Sequence, residues 1–133
     1  MSRSLIQTAN PSSQAVAVGG IISLGSVLRR FGCNCRMNGN AIEIEGAGYY
    51  TISGTFTVEP TAAGDVTVVI LENGVQIAGA TATVTAGAGD SVTLPIITTV
   101  RQGCCCDGAS SITCVLTAGA GNVLNASLRV EKE

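Results

Sequence analysis

Apolar and polar residues alternate along most of this chain. The clearest run puts Tyr50, Ile52, Gly54, Phe56 and Val58 on one side and Thr51, Ser53, Thr55, Thr57 and Glu59 on the other. A period of two is the side-chain period of a strand, whose successive residues point to opposite faces. Pro60 closes the run, because proline has no N–H to give to a ladder. Two further runs, over residues 65–71 and 75–84, flank Asn73-Gly74. Both residues of that pair tolerate positive φ, so the spacing predicts a tight hairpin. A Gly-rich turn over 86–90 leads into Val92, Leu94, Ile96, Thr98 and Val100, and Pro95 within this run predicts an edge strand or a bulge. Residues 111–117 set Ile112, Cys114 and Leu116 against Thr113, Val115 and Thr117. After a Gly-rich stretch over 118–122, Leu124, Ala126, Leu128 and Val130 form the apolar side of a last strand.

Upstream, residues 15–31 read as one or two strands interrupted at Gly19-Gly20, and 41–45 as a short strand. Helical periodicity is nearly absent. About eight to ten strands at a spacing of roughly 8–15 residues predict an antiparallel sandwich or barrel. No linker divides the chain, so residues 15–133 are read as one domain. Residues 1–14, with Asn10-Pro11-Ser12-Ser13, are read as a flexible N-terminal arm.

Composition changes this picture in one respect. Aromatic residues make up 3 % of the chain and tryptophan is absent, so the core must be built from small aliphatics around Phe31, Phe56, Tyr49 and Tyr50. Such a core is thin, and association between subunits would bury further surface. The formal charge is −2, and the seven Lys and Arg residues form no run longer than Arg29-Arg30. That balance argues against nucleic acid and against electrostatic attraction to membranes. The longest apolar stretch, residues 15–28, is broken by Gly19-Gly20, Ser23, Gly25 and Ser26 and is too short to span a bilayer. The first eight residues lack a hydrophobic signal core. The expectation is synthesis in a cytosol without a signal peptide.

The six cysteines fall into Cys33-Asn34-Cys35, Cys104-Cys105-Cys106 and Cys114. If the first segment is extended, Phe31, Cys33 and Cys35 share one face. A disulfide between the 33/35 pair and the 104–106 group would close a loop of about 70 residues, worth on the order of 4 kcal/mol in the chain-entropy model. A four-thiolate zinc site at Cys33, Cys35, Cys104 and Cys106 is the second reading, although the two-to-four-residue knuckle spacing is missing. Reduced thiols or cross-links between subunits are the third. A catalytic cysteine is disfavoured, since the chain has no histidine and neither Arg36 nor Arg101 can act as a base. Glu43 and Glu45 read as a solvated strand face, and Asp65, Asp90 and Asp107 as turn residues beside glycine. Asn125-Ala126-Ser127 lies in a strand and reads as structural. No cofactor is expected.

Four segments carry a family resemblance. They are residues 45–55 with Gly48-Tyr49-Tyr50, residues 68–77 with Asn73-Gly74, residues 88–94 with Gly89-Asp90, and the closing residues 125–130. In this order they resemble the complement and tumour-necrosis-factor superfamily, and within it the C-terminal heads of collagen-like bacterial spore-surface glycoproteins and prophage relatives. The resemblance implies an antiparallel jelly-roll sandwich of about ten strands that assembles as a homotrimer. It implies a place near the three-fold axis for Tyr49 or Tyr50 and for Phe56, against the plain reading of these rings as core. No Gly-x-y stalk precedes the domain in this sequence. The functional expectation is a non-enzymatic trimeric surface module of a virion or prophage-derived structure, with itself and capsid or other surface proteins as partners. A glycan- or receptor-binding head and a spore-coat component are the alternatives.

Overall fold

The computed structural model describes residues 4–102 and 110–132. Among them are twelve strands and no helix. In chain order these are β1 (Ser4–Asn10), β2 (Gln14–Val16), β3 (Gly20–Ile21), β4 (Ser26–Phe31), β5 (Cys35–Asn38) and β6 (Ala41–Ile44). They continue as β7 (Gly48–Pro60), β8 (Gly64–Glu72), β9 (Val75–Ala86), β10 (Val92–Gln102), β11 (Ser110–Ala118) and β12 (Gly121–Lys132). A front sheet has the order β10-β7-β12-β1-β4, with β2 added to β12; a back sheet has the order β5-β6-β11-β8-β9, with β3 added to β11. After β6 the chain changes sheet at every connection except the β8–β9 hairpin. That crossing pattern makes the sandwich a jelly roll.

Alternation explains the core. On β7 the residues Tyr50, Ile52, Gly54, Phe56 and Val58 are buried between the sheets, while Tyr49 and Thr55 are exposed. Leu94 and Ile96 on β10, Leu128 and Val130 on β12, and Val68 and Ile70 on β8 meet them from neighbouring strands of both sheets. Tyr50 and Phe56 are the two aromatic rings in this cluster. Gly54 lies between them in sequence. A Cβ there would stand 2.9 Å from the Phe56 ring and 3.1 Å from Leu128 Cδ1, so the missing side chain makes room for both.

The hairpin at Asn73-Gly74 forms as the sequence predicts. Both residues have positive φ, 52° and 82°, which gives the turn the twist of its flanking strands. Pro95 lies on β10, the edge of the front sheet.

Three expectations need correction. The supposed arm is a strand: β1 pairs with β12 from Ser4↔Lys132 to Asn10↔Ala126, and Ile6 is fully buried. Its inward face also carries Ser4 and Thr8, whose hydroxyls bond to Asn34 and to the Leu128 carbonyl, so the strand lacks an apolar stripe. The last strand is not strictly alternating. Its register shifts between Val123 and Asn125, which makes Leu124 the extra residue of a bulge and puts Val123 in the core. Finally, Cys33 and Cys35 do not share a face. Gly32 turns at φ 80° after β4, leaving Cys33 exposed and Cys35 buried.

Candidate functional site

Two regions hold the candidate aromatic rings and the described cysteines near β5. The first is the outward face of the front sheet. Residues paired across antiparallel strands share a face, so the register lays this surface out in rows. One row holds Thr99, Thr51, Glu131, Leu5 and Phe31; the next holds Ile97, Ser53, Arg129, Gln7 and Arg29; the third holds Pro95, Thr55, Ser127, Ala9 and Ser26. Thr93 and Thr57 continue the series, their hydroxyls 3.4 Å apart. The side chains are short and mostly uncharged. Ile97 is 74 % exposed and Phe31 63 %. Arg129 and Glu131 bridge each other at 2.8 Å, so the charges near the centre of the face cancel.

The axis candidates divide between the two sides of this sheet. Tyr49 points outward and is 56 % exposed, whereas Tyr50 and Phe56 are sealed in the protomer core. Neither of the latter can reach a second subunit. Alternation puts Tyr49 and Tyr50 on opposite faces; only the neighbouring strands decide which face is inside.

The second region is the end of the sandwich where β5, β6 and β11 meet. Cys35 is paired with Ile44, and Ile44 with Ser110, so all three lie in one row of the back sheet. Asn34 ties this end together. Its Oδ1 accepts from the Ser4 hydroxyl at 2.7 Å, and its Nδ2 donates to the Glu45 carbonyl at 2.7 Å. The Tyr50 hydroxyl donates to the carbonyls of Glu45 and Gly46 at 2.9 and 2.8 Å. The Ser110 hydroxyl donates to Gln102 Oε1 at 2.8 Å.

Cys33, Cys35 and Cys114 carry free thiols. Burial pushes the Cys35 thiol up to about 11, against a smaller lowering by Arg30 and Lys132. Burial alone pushes Cys114 up to about 12. Both are therefore poor nucleophiles at neutral pH, because the thiolate is the reactive form. Desolvation, with a smaller contribution from Cys35, raises the Tyr50 hydroxyl to about 12. Cys104, Cys105, Cys106 and Asp107 lie outside the described residues, as do the staple and the zinc site that depend on the three cysteines. Among the described residues no three of His, Cys, Asp and Glu converge as a metal site would require.

The carboxylates serve local ends. Glu43 accepts from Asn38 and pairs with Arg36 at 2.8 Å, which together hold its carboxyl below the usual range. Asp65 accepts from the Thr85 hydroxyl at 2.8 Å. An open groove of about 360 Å³ at the opposite end of the sandwich is lined by Ala15, Val16, Ala17, Thr61, Ala120, Gly121 and Asn122, and none of these can move a proton.

No protein-family model and no curated protein matches this sequence. Solved structures do match in shape. The globular domain of the zebrafish complement 1qA protein aligns with TM-score 0.72 at 8 % identity, covering 95 % of this chain and 94 % of that one. Murine APRIL aligns with TM-score 0.76 at 10 % identity over 99 % and 100 % of the two chains. The PRD1 vertex protein P5 aligns with TM-score 0.61 at 10 % identity, over 98 % of this chain and 72 % of that one. The fold is a C1q/TNF-like jelly roll.

Proposed function

We propose that this chain is a non-enzymatic homotrimeric module on the surface of a virus particle or prophage-derived structure, where it decorates the capsid or forms part of an appendage. The outward face of the front sheet carries the proposal. Its rows of Thr, Ser and Ala let a second backbone approach closely, and its central charges are already paired within the protomer. Exposed Ile97 and Tyr49 gain a dry environment in such a contact. The fold shared with the PRD1 vertex protein supports the particle setting. Buried thiols with raised pKa, and exposed carboxylates tied into local pairs, favour a structural role over catalysis.

Quantitative mass spectrometry of particles purified from a producing culture tests the setting. The chain should co-purify with the capsid protein through a density gradient at a fixed ratio. Recovery in the soluble lysate alone contradicts the proposal.

A further inference from the structure

β4 breaks the alternation that governs the longer strands. All six of its side chains, from Ser26 to Phe31, are exposed. They include Phe31 at 63 %, Leu28 at 59 % and Val27 at 40 %. The strand ends the front sheet and pairs only with β1, so its far edge is hydrogen-bonded into no second ladder among the described residues. The opposite edge strand, β10, carries Pro95, which offers no N–H to an incoming strand. β4 has no proline.

Its charge is one-sided. Arg29 and Arg30 stand side by side, and Glu43 is the first carboxylate in the whole chain. Glu43 is engaged by Arg36, and Glu131, the nearest carboxylate along the register, is engaged by Arg129. Arg30 Nε donates to the Cys35 carbonyl at 2.9 Å, which fixes that guanidinium at the edge between the two sheets. Arg29 points out from the front sheet beside Gln7 and Arg129.

We propose that β4 is a docking edge for an extended acidic segment of another protein. The segment adds to the front sheet as a further strand. Its main chain pairs with β4, its carboxylates lie on the outward face beside Arg29, and its apolar residues lie on the other face beside Val27. In strand addition the main chain supplies affinity and alternate side chains supply specificity. Leu28 is the extra residue of a bulge, since Thr8 pairs with Val27 and Gln7 with Arg29. A bulge and edge arginines deter indiscriminate pairing. Two β4 edges from separate copies would bring four guanidiniums together with no carboxylate between them, which disfavours self-pairing. An acidic strand meets no such penalty.

The test uses the full chain in whatever oligomer it forms. The probe is a capped seven-residue peptide alternating aspartate and valine, followed by fluorescence anisotropy at low salt. Its controls are a lysine–valine version and an aspartate–valine version N-methylated at alternate amides. The proposal expects binding of the first peptide only, and slowed amide exchange confined to residues 26–31. It expects Arg29→Glu to weaken binding by at least about tenfold, as loss of an interfacial charge pair does. Equal binding of the lysine peptide, full binding of the N-methylated peptide, or no protection at 26–31 overturns it. Unchanged binding in Arg29→Glu also overturns it. The peptide controls leave the protein unaltered, so they decide the matter even where the variant does not fold.

Discussion

Cys114 faces the core from the middle of β11 between Ile112 and Leu116, and no water reaches it. Its thiol ionises only near pH 12 in the folded chain, against a reference value of 9.0. Above pH 9 the unfolded chain gives up this proton and the folded chain keeps it. The contribution is therefore fully present below pH 9 and is lost as pH rises through 12. Each pH unit in that window removes about 1.4 kcal/mol, and on the order of 4 kcal/mol is gone by its upper end. That is a large share of the roughly 5–15 kcal/mol that holds a typical domain. Cys35 and Tyr50, raised to about 11 and about 12, act in the same direction, so a variant is needed to isolate Cys114. Cys114→Ala carries a cavity cost of order 1 kcal/mol that does not depend on pH. Guanidinium unfolding, followed by circular dichroism at fixed protomer concentration with reductant present, should be run from pH 8 to 11. The wild-type stability should fall more steeply than that of the variant, by about 1.4 kcal/mol per pH unit above pH 9. Parallel curves would show that the thiolate is solvated in the folded state and would refute the burial argument.

Three other outcomes follow from the packing and the hydrogen bonds. Gly54→Val forces a branched side chain against Phe56 and Leu128, and should lower stability by about 1–3 kcal/mol in the same unfolding assay. Asn34→Ala removes the bonds to Ser4 and to the Glu45 carbonyl; a loss of about 1–3 kcal/mol is expected, with faster amide exchange at residues 45–47. Iodoacetamide should modify Cys33 in the folded protein and reach Cys35 and Cys114 only after denaturation, which peptide mapping can read directly.

The fold was legible wherever the pleat alone decides which side is apolar. On β7 the sequence alternates and one face is buried along its length, so pattern and structure agree. Asn73-Gly74 was legible because few residues tolerate its φ values. β1 was not, because its inward side mixes Ile6 with Ser4 and Thr8, and those two hydroxyls find partners far away in sequence. Leu124 misled because a bulge shifts the alternation by one residue, and nothing in Asn122-Val123-Leu124-Asn125 announces it. The same limit applies to the candidate surfaces. Alternation separates Tyr49 from Tyr50, but only the packing of β10 and β12 beside β7 shows which ring faces out. Arg29-Arg30 was visible as a dipeptide; its place on a bare edge strand depends on β1, which the pattern did not reveal.

Light scattering on the purified chain after size exclusion, at micromolar concentration, tests the central claim most directly. The account predicts a single species at three times the 13.3 kDa protomer mass. It predicts that Ser53→Arg, at the centre of the front sheet's outward face, shifts that species toward monomer while the circular dichroism spectrum of the strands is kept. A monomer in the wild type, or a trimer that Ser53→Arg leaves intact, would contradict it.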